Sequence, residues 1–138
     1  MVRYLLDTHV LSELREGGRA NSGVRAWFEA CADQELCTSV LVLGELRRGI
    51  EGLRLRDPSG AAALKQRLAR LHASFADRVL DIDGAVADRW GRLNVPDPVP
   101  AVDGLLAATA LVHGLVLATR NVRDVHRTGV ELLNPFSP

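Results

Sequence analysis

The stretch VRYLLDTHVLSEL, residues 2–14, decides the fold. An apolar run with the character of a buried strand stops on Asp7, Thr8 and His9 follow at once, and a pattern of helical period then takes over. Taken alone, Asp7 is a helix N-cap, because its short carboxylate accepts hydrogen bonds from the free N–H groups of a first helical turn. A parallel sheet gives that position a second meaning. Ligands of open parallel sheets bind beyond the carboxyl ends of the strands, so an acid at a strand-to-helix junction is also a candidate functional group.

Outward from this stretch, short runs rich in Val and Leu alternate with longer segments of helical period, the pattern of parallel strands joined by helices. The fold class is therefore α/β. Strands are predicted near Val2 to Leu6, Leu36 to Thr38, Arg78 to Ile82, Leu115 to Ala118 and Glu131 to Leu133. Helices are predicted near Val10 to Arg15, Val24 to Cys31, Val40 to Arg54, Ala61 to Phe75, Gly84 to Leu93 and Val102 to His113. Leu64, Leu68, Leu71 and Phe75 form an apolar helical stripe, with Lys65, Arg67 and Arg70 off it. RDPSG at 56–60 reads as the turn of a helical hairpin. NVPDPVPAVDG at 94–104 carries prolines at alternate positions, which forbid a regular helix before Val102. At 138 residues, with neither a linker nor a repeat, residues 1–138 are expected to form one domain.

The composition narrows the function classes. With 47% apolar residues and a formal net charge of zero, the chain has the make-up of a globular protein and not of a disordered one. It contains no apolar span of membrane length and no signal-peptide layout, so a cytoplasmic location without membrane contact is expected. Cys31 and Cys37 lack the companion Cys and His pairs of a zinc site and are expected to be reduced thiols. Lys65 is the only lysine among 17 cations, and the rest are Arg, whose guanidinium grips phosphate bidentately. A neutral chain lacks the long-range pull of a basic domain, so any nucleic acid would be held through a local patch. No Gly-rich phosphate loop follows the first strand, which excludes a nucleotide-binding fold.

The acids acquire meaning together. Beyond the buried run LVLA at 115–118 the chain continues as TRNVRD, delivering Thr119, Asn121 and Asp124 to the edge that holds Asp7 if the strands are parallel. Asp103 stands in the first turn of a helix, where an acid also complements the helix dipole, and Ala107, Ala108 and Ala110 permit that helix to pack closely. Glu45 lies off the apolar stripe of Leu43, Leu46, Ile50 and Leu53, with Arg48 at ion-pair spacing. Several carboxylates converging as anions require a counter-charge, and Mg²⁺ or Mn²⁺ takes oxygen ligands plus water. An ion held so can bind phosphate and lower the pKa of a bound water, which points to phosphodiester hydrolysis.

The ordered set LLDTHVLSEL, TSVLVLGELRRG, DGLLAATALVHG and LATRNVRDV resembles the PIN-domain family, specifically the VapC-like toxins of type II toxin–antitoxin modules. The resemblance spans nearly the whole chain. It implies a three-layer α/β/α sandwich with a mostly parallel sheet, and an Mg²⁺- or Mn²⁺-dependent endoribonuclease held inactive by a cognate antitoxin. It also implies homodimers, and operator DNA bound only through the antitoxin. Carried over by position, Asp7, Glu45, Asp103 and Asp124 match the acidic quartet, with Asp7 and Asp103 the foremost metal ligands, and Thr119 and Asn121 match the polar residues lining it.

His9 departs from the family pattern, where Asn is common, and is read as exposed or packed, as are His72, His113 and His126. Arg48, Arg120, Arg123 and Arg127 lie near the rim in sequence, as solvated charges or as contacts to an RNA backbone. Trp27 and Trp90 are read as core or interface anchors. A partner groove is expected between the early helices and the RDPSG hairpin, with Leu11, Leu14, Leu46 and Ile50 as candidate lining. The competing reading is a PIN-like binding protein that engages RNA or an antitoxin without cleavage.

Overall fold

The computed structural model describes residues 1–15 and 19–138. Along the chain run β1 (Tyr4–Leu6), α1 (Thr8–Arg15), α2 (Ser22–Ala30), β2 (Leu36–Ser39), α3 (Val40–Arg54) and α4 (Pro58–Phe75). Then follow β3 (Val79–Leu80), α5 (Gly84–Leu93), α6 (Ala101–His113), β4 (Val116–Ala118), α7 (Val122–Val125) and β5 (Leu132–Leu133). The strands form a five-stranded sheet in the order β3-β2-β1-β4-β5, and every pairing is parallel.

β1 lies at the centre, paired on both edges, with β2 on one side and β4 on the other. Leu5 and Leu6 have no solvent exposure, which is worth about 1.5–3 kcal/mol for each side chain. Its register sets Leu5 beside Cys37 on one flank and Leu117 on the other. The chain then moves outward twice, first through β2 to β3 and then through β4 to β5. Right-handed crossovers in opposite directions place helices on opposite faces. Contacts agree: α1, α2, α3 and α4 pack on one another, while α5, α6 and α7 form the second group. The three-layer α/β/α reading holds.

α6 is buried nearly all round, with Leu106, Ala107, Ala108, Thr109 and Ala110 inside. Small alanines bring the helix close to the sheet, and the Thr109 hydroxyl is satisfied by the Leu105 carbonyl at 2.7 Å. Gly114 ends α6 at φ 66°, a left-handed conformation that glycine adopts without a Cβ penalty.

Element ends differ from the sequence expectation for local reasons. β1 begins at Tyr4 and not Val2, because β2 and β4 start opposite Tyr4 and offer no ladder beyond it. β3 shrinks to Val79–Leu80. Arg78 sits in a 3₁₀ turn and donates to the carbonyls of Leu36 at 2.6 Å and Ser74 at 2.8 Å, while Asp83 already caps α5. α2 starts at Ser22, ahead of the expected Val24, because Asn21 accepts from Gly23 and Val24 N–H groups. α4 starts at Pro58 because Asp57 accepts from the Gly60 N–H, so much of RDPSG is the first turn of the second helix. α7, four residues long, is too short to show a period and was not expected.

The expected groove is met only in part: of its four candidate residues Ile50 lines a hollow between α3 and α4, and Leu11, Leu14 and Leu46 do not. Leu11, Leu46 and Ile50 are 0%, 4% and 2% exposed and belong to the core, because that face of α1 and α3 turns inward; Leu14 is half-buried against it. That hollow is lined by Ile50, Ala61 and Ala62 together with Arg47, Glu51, Arg54, Pro58 and Lys65. Among the described residues no helix is long and apolar enough to cross a membrane.

Candidate active site

The sheet changes direction between β1 and β4, and ligands of open α/β sheets bind at the carboxyl end of such a switch point. Asp7 and Thr119 each stand one residue past these strands. The ladder continues one step further, with Asp7 N–H donating to the Ala118 carbonyl at 3.1 Å. Asp7 is 4% exposed. Its Oδ1 accepts from the Val10 N–H at 3.0 Å, and its Oδ2 accepts from the Thr119 hydroxyl at 2.5 Å. The cap and the site acid are thus one residue.

The network runs on from Thr119. Its hydroxyl accepts from the Asn121 N–H at 2.9 Å, and the Asn121 amide donates to Asp103 Oδ2 at 3.1 Å. Asp103 occupies the first turn of α6. Ser39, the last residue of β2, caps α3 through the Leu41 N–H at 3.1 Å, so the helix bearing Glu45 also rises from the carboxyl edge. Thr8 donates to Glu45 Oε1 at 2.5 Å, and Arg48 stands 3.9 Å from Oε2. Asp103 and Glu45 therefore keep their ordinary helix-surface roles as well: a dipole complement and an ion pair.

Asp7, Glu45, Asp103 and Asn121 line one open cleft of about 380 Å³, together with Thr8, His9 and a wall that includes Pro100 and Leu106. Thr119 is 2% exposed and stands behind Asp7. Asp124 is not in the lining; it is exposed on α7, near enough for its charge to act on Asp103. Burial pushes the Asp7 carboxyl above its ordinary range, against the pull of the Thr119 and Val10 hydrogen bonds and the nearby His9. Asp103 is pushed up by burial, then by the charges of Asp124 and Asp7 and more weakly by Glu45, with the Asn121 hydrogen bond pulling the other way. The cleft resists its own negative charge.

That resistance is the test of fit for a hard cation. The donors are oxygens, and each Asp7 oxygen accepts one protein hydrogen bond here, leaving acceptor capacity. Among the described residues no three Asp, Glu, His or Cys side chains stand close enough to hold an ion by themselves. An all-oxygen donor set fits a hard cation that keeps several waters better than the closed cage of a structural zinc.

Other candidates fall elsewhere. Arg120 lies over the Phe136 ring at 4.5 Å, and Arg127 donates to the Pro98 carbonyl and stands 3.5 Å from Asp97. Arg48 and Arg123 are exposed, as are His9, His72, His113 and His126. Trp27 meets Tyr4 edge-on at 5.2 Å, and Trp90 packs on Gly104; both are half-buried anchors. Sequence reasoning missed Thr8 as the residue that orients Glu45. Its only signal is a hydroxyl on the first turn of α1, next to Asp7.

Comparison with known proteins agrees with this geometry. The PIN domain family model matches residues 4–130. The chain is 32% identical to VapC ribonuclease Y4jK of Sinorhizobium fredii, over 97% of this chain and 98% of that protein. It is also 32% identical to toxin FitB of Neisseria gonorrhoeae, over 96% and 97%. The crystal structure of FitAcB from Neisseria gonorrhoeae superposes with a TM-score of 0.86 at 30% identity, covering 96% of this chain and 97% of that one. VapBC2 from Rickettsia felis, solved bound to a DNA fragment from their promoter, shares the fold at a TM-score of 0.77 and 18% identity, over 97% and 98%. A carboxylate-lined cleft at the switch point and these end-to-end matches have one reading: the chain belongs to the PIN-domain family, among the VapC/FitB toxins of toxin–antitoxin systems.

Proposed function

We propose that this chain, acting through 1–138 as one PIN-like domain, is a ribonuclease toxin that hydrolyses RNA phosphodiester bonds in the cleft between β1, α3 and α6. Asp7 and Asp103 are its principal ligands for Mg²⁺ or Mn²⁺, with Glu45 and Asp124 completing the acidic set. The observation that carries this reading is the hydrogen-bonded chain Asp7–Thr119–Asn121–Asp103, which fixes two acids from distant parts of the sequence on one cleft. A bound divalent ion supplies positive charge for the phosphate and acidifies a water.

The chain's own residues do the holding. Thr119 and the Val10 N–H lock Asp7 in one rotamer, Asn121 fixes one oxygen of Asp103, and Thr8 fixes one oxygen of Glu45. Such preorganisation keeps the acids together despite their repulsion. The location is cytoplasmic, and the working partners are an RNA substrate, a second copy of the chain and a cognate antitoxin through which operator DNA is reached. The neighbouring FitAcB and VapBC2 structures support this reading by likeness.

The test is incubation of purified, antitoxin-free protein with total RNA, with and without Mn²⁺, and mapping of new ends. Cleavage should require the metal, and Asp7→Asn should lower it on the order of 100-fold or more, because the amide keeps the shape and loses the charge. RNA that is bound but uncut with metal present would instead support the binding-protein reading.

A further inference from the structure

We infer that an apolar hollow beside the catalytic cleft receives one unpaired base of the RNA, adjacent to the bond that is cut. The inference rests on the ribonuclease reading above and names a specificity site for it. The hollow, about 300 Å³, is walled by Val40, Leu41, Gly44 and Val102, and Glu45 and Arg48 provide its polar groups. Glu45 and Val102 also line the catalytic cleft, so the hollow is its immediate neighbour.

A strand with a phosphate in the cleft must place a flanking base close by. A base turned out of its stack needs a dry surface for its ring and polar groups for its edge. Val40, an apolar side chain left 39% exposed, contributes to the first. A carboxylate accepts from an exocyclic amine, and a guanidinium grips phosphate or a ring acceptor. The Arg48 guanidinium can do so, being 85% exposed and standing 3.9 Å from Glu45.

Gly44 supports the assignment. A glycine inside a helix costs about 1 kcal/mol relative to alanine, yet a Cβ at Gly44 meets no atom within 4 Å. Nothing in the described packing requires a glycine there. A side chain at this position would occupy the hollow.

The experiment uses oligoribonucleotides spanning a mapped cleavage site, with a single abasic nucleotide on either side of the cut bond. In the wild-type protein one of the two abasic positions should raise KM roughly tenfold, the scale of one base contact. In Gly44→Leu, a substitution favourable to the helix, natural and abasic oligonucleotides should have equal KM, with Gly44→Ala between. An abasic penalty that persists in Gly44→Leu overturns the inference. So does a change in oligomeric mass by light scattering with the penalty intact, which would give the hollow to a protein contact. Binding of the same series to the Asp7→Asn chain, read by fluorescence anisotropy, separates the two readings. If wild type cuts no RNA, an abasic scan along a bound oligoribonucleotide replaces the series: a penalty abolished by Gly44→Leu then refutes the nuclease alone, whereas cleavage without any penalty refutes the base pocket alone.

Discussion

Asp7 shows how one residue serves fold and chemistry together. As cap it contributes about 1 kcal/mol to α1, and as a buried acid it is held off its ordinary pKa by the same burial that makes the cap rigid. Asp103 bears a like cost, with the charges of Asp124 and Asp7 added to burial. Both carboxyls have folded pKa values raised above 3.8, so the folded chain binds these protons more tightly than the unfolded chain. Without cation, their contribution to stability declines as pH rises from about 3.8 to the raised values, and stays low above them. Asp103→Asn, which keeps an acceptor for Asn121, should therefore melt a few degrees above wild type at pH 7 in chelator, while losing RNA cleavage. The gap should close as pH falls toward 4, and Mn²⁺ should raise the melting temperature of wild type only. A variant that melts below wild type throughout would refute this account of the acids. The sequence made the acids legible because the chemistry demands carboxylates beside strand ends. It hid their fastenings, since the bond from Thr8 to Glu45 joins residues 37 apart and no local pattern encodes it.

At the scale of elements, caps mark the boundaries: Asn21, Ser39, Asp57 and Asp83 each start a helix by accepting backbone N–H groups. The helical periods were plain in the sequence because their apolar faces are long. The strands were blurred because each is two to four residues, and neighbours decide how far such a strand extends. One junction remains under strain. Ala76, closing α4, has φ 47° and ψ −116°, a region that a Cβ disfavours. Ala76→Gly should stabilise the chain by about 1 kcal/mol and raise Tm by roughly 4 °C. Thermal denaturation followed by circular dichroism measures this directly, and an unchanged or lower Tm would show that the turn holds Ala76 without strain.

At the scale of the whole molecule, the parallel α/β class was legible from alternating runs, but the strand order was not. That order needs the two outward excursions from β1, which set the switch point and so the position of the cleft. An open cleft crowded with acids is complementary to a cationic side chain, so a small partner reaching it with Arg or Lys would block the metal. Co-expression with the product of the neighbouring small open reading frame should give a stable complex without nuclease activity. Failure to co-purify, with cleavage undiminished, would remove that product as the inhibitor. The central place of β1 has a consequence in time. Asp7 and its partner Thr119 stand 112 positions apart in the chain. At about 5–20 residues per second, translation separates the two by on the order of ten seconds. A nascent chain lacking β4 therefore carries Asp7 without the hydroxyl that fastens it, and the network from Asp7 to Asp103 closes only after that interval.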